Sequence, residues 1–512
     1  MPNTLQVDIF LFTKHKLRVF TYICATLGIY LAFHLLISSN FPGVEWDESV
    51  YACITENLNK EFELKHVADI SREGQFYGWH PPFYFYLSGL LSHAFDNPDF
   101  LLLNRSLNNF CMGLAMAVFA AGLYRFGKLS LATVTFGMLF ACLDLWNLIS
   151  GRIGWFENVQ FVIVALTQLA LIATLLSGTY KAAALAGFLA GWVVIFKHIG
   201  AWEMIQIGLL FLLFASRRKQ FLVAGLVTAV VIFLYGLLQL YRGGDDYINQ
   251  QLHHTMRAVG KTKSPSVNFD LMQAINIFID AYGVFWPSIA AALLGLAVAG
   301  CIYLRAGFVV YRCKAEHVFL SSRRDVAQLV LATWLLGAFI SLLAIKLRNP
   351  HYYFLIFIPA SFLVGVFLAN LLHVRRWRRF AAVLIAIFMI GNITSLTLRL
   401  NWDDSVLTNF YRIYHDRLAG RMVFTEEPLA CLAGDIAGFR DVRLSQNRDL
   451  KLLNGKDIGA VVMLSSRSYQ PPVSAAWRER LAQKYRKIYE DKDWKWNMEI
   501  WMPAQAVVPF RR

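Results

Sequence analysis

Charge is scarce in this chain. Of 512 residues only 16% are Asp, Glu, Lys or Arg, against 57% that are hydrophobic. Soluble globular proteins carry roughly 25% charged and about 45–50% apolar residues. The deficit excludes an ordinary soluble enzyme, and the apolar excess excludes a disordered chain. Cysteine is sparse as well: seven residues, with no CxxC and no metal-ligand spacing. That argues against a disulfide framework or a structural zinc site. Cys24, Cys111, Cys142 and Cys301 lie in apolar segments and read as small core residues. There is no internal repeat and no low-complexity tract. The first apolar run, 17–38, is too long for an h-region and lacks an A-x-A site, so it is expected to remain as a membrane helix and not to be a cleaved signal.

What is present is apolar and aromatic. Aromatics make up 15% of the chain, as suits lipid-facing and interfacial side chains. A spanning helix needs about 20 mostly apolar residues. Such runs occur at 17–38, 104–124, 129–149, 158–177, 182–197, 200–215, 220–241, 282–304, 326–346, 353–372 and 381–399. They predict about eleven transmembrane helices. The run Phe83–Phe95 is left out: at 1.5 Å per residue it reaches about 20 Å, short of a core of about 30 Å. It reads as a helix on the membrane surface.

Net charge is +15. The basic residues sit between apolar runs, so they read as membrane topology and not as a nucleic-acid footprint. With the N-terminus cytoplasmic, the inner loops gather 18 Lys/Arg. The short outer loops hold Arg152, Lys197, Lys346 and Arg348. Counting Phe83–Phe95 as a span would reverse that bias. Three parts then face outward: a loop at 40–103, a loop at 242–281, and a soluble domain at 400–512 following the membrane module 1–399. In that terminal domain Ala460–Met463 and Met498–Met502 read as strands, and Ala475–Lys487 as an amphipathic helix. The expected fold class is a polytopic α-helical membrane protein with a small C-terminal α/β extracytoplasmic domain.

The first outer loop is acidic, with ten Asp/Glu against three Lys/Arg in 40–103. Asp47 and Glu48 follow Trp46 soon after the first span. Adjacent carboxylates at a membrane interface repel each other and lose water, which raises at least one pKa and suits a general base. A solvated acidic face is the plainer alternative. Downstream, Tyr77-Gly-Trp-His80-Pro81-Pro82-Phe83-Tyr84 sets a rigid Pro-Pro pair before the surface helix and holds His80 at the membrane. Lys197, Lys346 and Arg348 lie against the positive-inside bias; such charges often mark function. Snorkelling at a helix end is the alternative for Lys197. His253-His254, Asp245-Asp246 and Gly434-Asp435 are weaker signals, and Arg375–Arg379 reads as a cytoplasmic anchor at anionic lipid.

Trp46-Asp47-Glu48-x-x-Tyr51 after the first span, followed by His80-Pro81-Pro82-Phe83-Tyr84, resembles the GT-C glycosyltransferases. Within them it is most similar to the branch of protein O-mannosyltransferases and lipid A aminoarabinose transferases. The resemblance covers about 40–360. It implies a sugar donor on a polyprenyl monophosphate, transfer with inversion on the outer face, and a catalytic carboxylate at Asp47. His80 stands where the aminoarabinose branch often has a lysine on the carrier phosphate. Arg152-Ile-Gly-Trp-Phe-Glu157 matches the family's second acidic element, with Glu where Asp is commoner. Lys197 matches a lysine at the outer end of a later span. Lys346, Arg348, Tyr352, Tyr353 and Pro359 match a basic-Tyr-Pro pattern.

The expected site is therefore Asp47, Glu48 and Glu157 for catalysis; His80, Lys197, Lys346, Arg348, Tyr352 and Tyr353 for the donor phosphate; and Tyr51, Tyr77 and Arg152 for substrate. The carboxylates leave room for a divalent ion, which the argument does not require. The expected partners are the lipid-linked donor, the bilayer, and a lipid A or lipopolysaccharide core, other envelope glycan or protein acceptor, with no nucleic acid. The expected location is a bacterial inner membrane. The alternative is a lipid-linked-sugar flippase, though transporters usually place their ionisable groups at the midplane of repeated halves.

Overall fold

A computed structural model describes residues 20–32, 46–61, 82–95, 100–152, 157–258, 286–344, 354–399, 406–418, 421, 423–425, 442–444, 458–466, 475–492 and 496–504. The N-terminal part runs through α1 (Phe20–Ala32), α2 (Trp46–Glu61), α3 (Phe83–Phe95), α4 (Phe100–Arg125), α5 (Leu131–Leu143), α6 (Leu145–Arg152), α7 (Glu157–Ser177), α8 (Tyr180–Phe196), α9 (Trp202–Leu213) and α10 (Arg218–Ala258). Further helices span Trp286–Gly307, Arg323–Ala344, Phe354–His373 and Arg378–Arg399.

Every apolar run of the sequence carries helix, yet the count of eleven crossings is not reached on length. Among the described residues seven helices are long and apolar enough to cross a membrane. An eighth crossing forms if α5 and α6, bent by 64°, act as one span. Asp144 explains the bend. Its N–H closes the last turn of α5 on Phe140 O, while its carboxylate accepts the Asn147 N–H at 2.9 Å and starts α6. The remaining runs form shorter helices: α1, α8 with 17 residues, and α9 with 12. At 1.5 Å per residue, α9 spans only about 18 Å.

Packing separates centre from rim. Windows of Arg323–Leu343 and Leu355–His373 are 72% and 78% buried, whereas that of Ala215–His253 is 17% buried. The centre is aromatic: Trp202 and Trp334 stack at 5.7 Å, and Phe119 and Phe161 close on Trp334. Elsewhere small residues let backbones meet, as lipid-embedded bundles require. A Cβ on Gly187 of α8 would strike the Ala224 backbone of α10, and one on Gly365 would strike Thr133 and Gly137 of α5. The rim explains two cysteines. Cys24 and Cys301 are exposed on the bundle surface and not in the core, while Cys111 is buried.

α10 departs from the expected loop at 242–281. Helix resumes beyond a break at Gly244 (φ 48, ψ −131) and runs to Ala258. Glycine is the residue that takes this left-handed backbone without strain.

The terminal sheet has the order β2-β1-β3-β5-β4, from β1 (Val423–Thr425), β2 (Val442–Leu444), β3 (Ala460–Ser466), β4 (Tyr485–Lys492) and β5 (Trp496–Pro503). β2-β1-β3 is parallel and β3-β5-β4 antiparallel. Alternation sorts the faces. Ala460, Val462 and Leu464 pack with helix Val406–Ile413, and Val461 and Met463 pack with Leu481. The expected helix over 475–487 ends at Ala482. Tyr485 onward is β4 because pairing with β5 wins over the helical pattern. One residue of α2, Cys53, belongs to the first of these two clusters.

Candidate functional site

α2, α3 and α4 pack on one another, α4 packs on α7, and α7 on α8. α2 buries the face Glu48, Tyr51, Ile54, Thr55 and Leu58, spaced as one side of a helix. Asp47 lies in its first turn, one residue before Glu48; the Asp47 side chain is outside the described residues.

Glu48 is fully buried and would be costly there without a cation. Arg105 supplies it from the second turn of α4: Nε and Nη2 donate to Glu48 Oε1 at 2.8 and 2.6 Å. Glu48 of the acidic pair thus has a cationic partner that the sequence reading did not assign to it. Arg105 was legible as a charge inside the start of an apolar run, next to Asn104 and Asn108. The loop boundary at 103 placed it inside a span and hid it.

The same stretch of α4 holds α3. Ser88 is bonded to Asn104, and Asn108 Nδ2 donates to the Tyr84 hydroxyl at 3.2 Å. Tyr51 packs edge-on against Tyr84 and Phe85, with centroids 6.4 and 5.7 Å apart. Burial holds the Tyr84 hydroxyl well above its ordinary pKa; the Asn108 bond opposes this, and the charges of Glu48 and Glu157 reinforce it. Both carboxylates thus lie within electrostatic reach of one hydroxyl. The neighbouring Phe83 points the other way. Its ring meets Trp192 and Phe196 of α8 at 4.6 and 5.7 Å, and Tyr235 of α10 at 6.2 Å. α10 also reaches α3 through Arg242, which donates to the Tyr86 hydroxyl at 2.7 Å.

Glu157 begins α7, where the helix dipole favours a carboxylate. Lys197 ends α8 in extended conformation (φ −159, ψ 133). The two form an ion pair and both are buried. Gln160 fixes the lysine's backbone, donating to Val193 O at 2.6 Å and to Lys197 O at 3.3 Å. Asn158 ties the start of α7 to Ser150 O of α6 at 2.6 Å. Arg152 is half-buried in the last turn of α6. Further along the bundle, the buried Glu203 accepts from Gln168 Nε2 at 3.1 and 3.2 Å, and Gln206 joins Gln168 to Val330 O and Thr333. The sequence reading missed this network entirely.

Of the expected site, the structure pairs Glu157 with Lys197, buries Glu48 against Arg105, packs Tyr51 against Tyr84 and Phe85, and places Arg152 at the end of α6. His80, Tyr77, Lys346, Arg348, Tyr352 and Tyr353 lie outside the described residues. Among the described residues no three His, Cys, Asp or Glu side chains come together. Glu48 and Glu157 are each paired with a cation, Arg105 and Lys197.

No protein-family model matches this chain, and no curated protein matches it in sequence. Solved structures do match in shape. The ArnT of Cupriavidus metallidurans bound to undecaprenyl phosphate superposes with a TM-score of 0.57 at 13% identity, over 93% of this chain and 98% of that one. The archaeal oligosaccharyltransferase AglB of Archaeoglobus fulgidus, in complex with an inhibitory peptide and a dolichol-phosphate, gives 0.49 at 13% identity, over 86% of this chain and 69% of that one. The first likeness shows the fold, which is of the GT-C type that the motifs led one to expect.

Proposed function

We propose that this chain is a membrane glycosyltransferase that takes a sugar from a polyprenyl-monophosphate carrier and passes it to a hydroxyl acceptor. The observation that carries the proposal is the two ion pairs with buried carboxylates, Glu48–Arg105 and Glu157–Lys197, on helices that pack in series with the helix that follows the Pro-Pro element. Support comes from the fold shared with an ArnT whose structure holds undecaprenyl phosphate. Fold alone does not fix function, so the site carries the argument.

In this reading residues 1–399 form the transferase module and 400–512 an extracytoplasmic domain. The site faces the outside of a bacterial inner membrane, and the carrier enters between helices with its tail in lipid. Asp47 takes the proton of the acceptor hydroxyl. The acceptor oxygen attacks the sugar C1, the C1–O bond to the phosphate breaks, and the electron pair stays on the phosphate oxygen. Attack opposite to the leaving group inverts the anomeric centre. Lys197, with His80, Lys346, Arg348, Tyr352 and Tyr353, stabilises the charge that grows on the phosphate. Glu48 and Glu157 complete the acidic side. Tyr51, Tyr77 and Arg152 line the substrate. The acceptor is a lipid A or lipopolysaccharide core, another envelope glycan, or a protein.

The test is reconstitution of the pure protein with a polyprenyl-phosphate sugar and a mixture of envelope acceptors. Transfer is expected, and Asp47→Asn should lower it by at least about a hundredfold while the protein inserts normally. Movement of the lipid-linked sugar across the bilayer without transfer would replace the transferase by a flippase.

A further inference from the structure

The lysine assigned to the donor phosphate is not a bare cation: it is already paired with a carboxylate of the same site. We propose that Glu157 competes with the carrier phosphate for Lys197, so that donor binding transfers this lysine from Glu157 to the phosphate. The proposal rests on the assignment of Lys197 above and gives Glu157 a role opposite in sign to that of an ordinary binding residue.

Three observations lead to it. Lys197 and Glu157 are both buried, so their attraction is little screened by solvent. The lysine's backbone is held twice over, by its own N–H on Val193 O and by Gln160 on its carbonyl. Movement between partners therefore falls on the flexible side chain, which has three donors and four carbon–carbon rotors. Finally, Gln160 and Glu157 lie on the same turn of α7, which fixes the carboxylate relative to that backbone. A phosphate oxygen arriving at the ammonium must sit within a few ångström of Glu157. Releasing the ammonium from Glu157 costs the attraction of that ion pair, which at about 4 Å and an effective dielectric of about 20 is large enough to change binding by at least tenfold. Glu157 thus has to give up the lysine before the phosphate can hold it, and its charge taxes donor affinity through Lys197.

The experiment measures binding of undecaprenyl phosphate to the full-length protein in detergent, by calorimetry and by ligand-dependent thermal stabilisation. Glu157→Gln should bind the carrier about tenfold more tightly than the wild type, and its turnover should fall. Lys197→Gln should bind weakly. Adding Glu157→Gln to Lys197→Gln should change affinity less than twofold, since the contested cation is gone. Equal or weaker binding by Glu157→Gln overturns the exchange, as does a tenfold gain that persists without Lys197. Should Glu157→Gln fold poorly, Glu157→Asp keeps the charge but shortens its reach; an affinity at or below that of the wild type would again overturn it, and one above wild type supports it. Failure of the wild type to bind the carrier at all would strike the transferase reading and not the exchange alone.

Discussion

Removing Arg105 should damage the protein more than removing Arg105 and Glu48 together. Glu48 has no exposed surface, and Arg105 Nε and Nη2 converge on one of its oxygens. Breaking such a pair from one side leaves a desolvated charge, which costs about 3–5 kcal/mol. The Arg105 side chain keeps 14% exposure, so water relieves part of this and about 3 kcal/mol is the better expectation for Arg105→Met. Glu48→Gln keeps the shape and an acceptor oxygen but strands the guanidinium, which can turn toward water; about 1–2 kcal/mol follows. Removing both ions leaves no stranded charge. The double variant should be more stable than Arg105→Met alone, with a coupling of about 2 kcal/mol. Unfolding of the detergent-solubilised protein, followed by thermal or denaturant titration, measures all four corners of the cycle. Additivity within about 0.5 kcal/mol would show that the two side chains do not depend on each other, and the reasoning about Glu48 would fall.

Other outcomes can be checked alongside. Asp47→Asn should lower sugar transfer at least about a hundredfold with insertion intact, read by turnover in proteoliposomes. Glu157→Gln should tighten binding of undecaprenyl phosphate about tenfold while Lys197→Gln loosens it, read by calorimetry. Gly187→Leu should force α8 away from α10 and lower the unfolding midpoint by several degrees, whereas the same change at Gly225, which has no close neighbour, should leave it nearly unmoved. Glu203→Gln should be neutral or stabilising, because Gln168 still finds an acceptor while a buried carboxylate is removed. A large loss of stability there would mean that the charge itself is needed.

Much of the membrane part was legible because lipid imposes a simple rule: long apolar runs become helices. Crossings were harder to count. α9 and the bent α5–α6 pair depend on where a chain breaks, and the Asp144 cap that bends the pair is a single residue in an apolar run. The site was half legible. Glu157 and Lys197 stood out as charges at helix ends, but their pairing is a contact across 40 positions that no local pattern encodes. Arg105 went unused because a topology drawn from loops treats everything within a span as hydrocarbon. The terminal sheet shows the opposite failure: β4 carries a helix-compatible composition, and only its partner strand decides it.

The placement of Cys53 has a practical consequence for anyone who would rearrange this molecule. The helix that bears Asp47 contributes a side chain to the same apolar cluster as Val406, Phe410 and Leu464. Cutting the chain after residue 399, or grafting a foreign domain there, would therefore uncover part of that helix as well as delete the sheet. A hybrid enzyme built on this scaffold has to carry its own complement to Cys53, or the loop helix must be resurfaced together with the new domain.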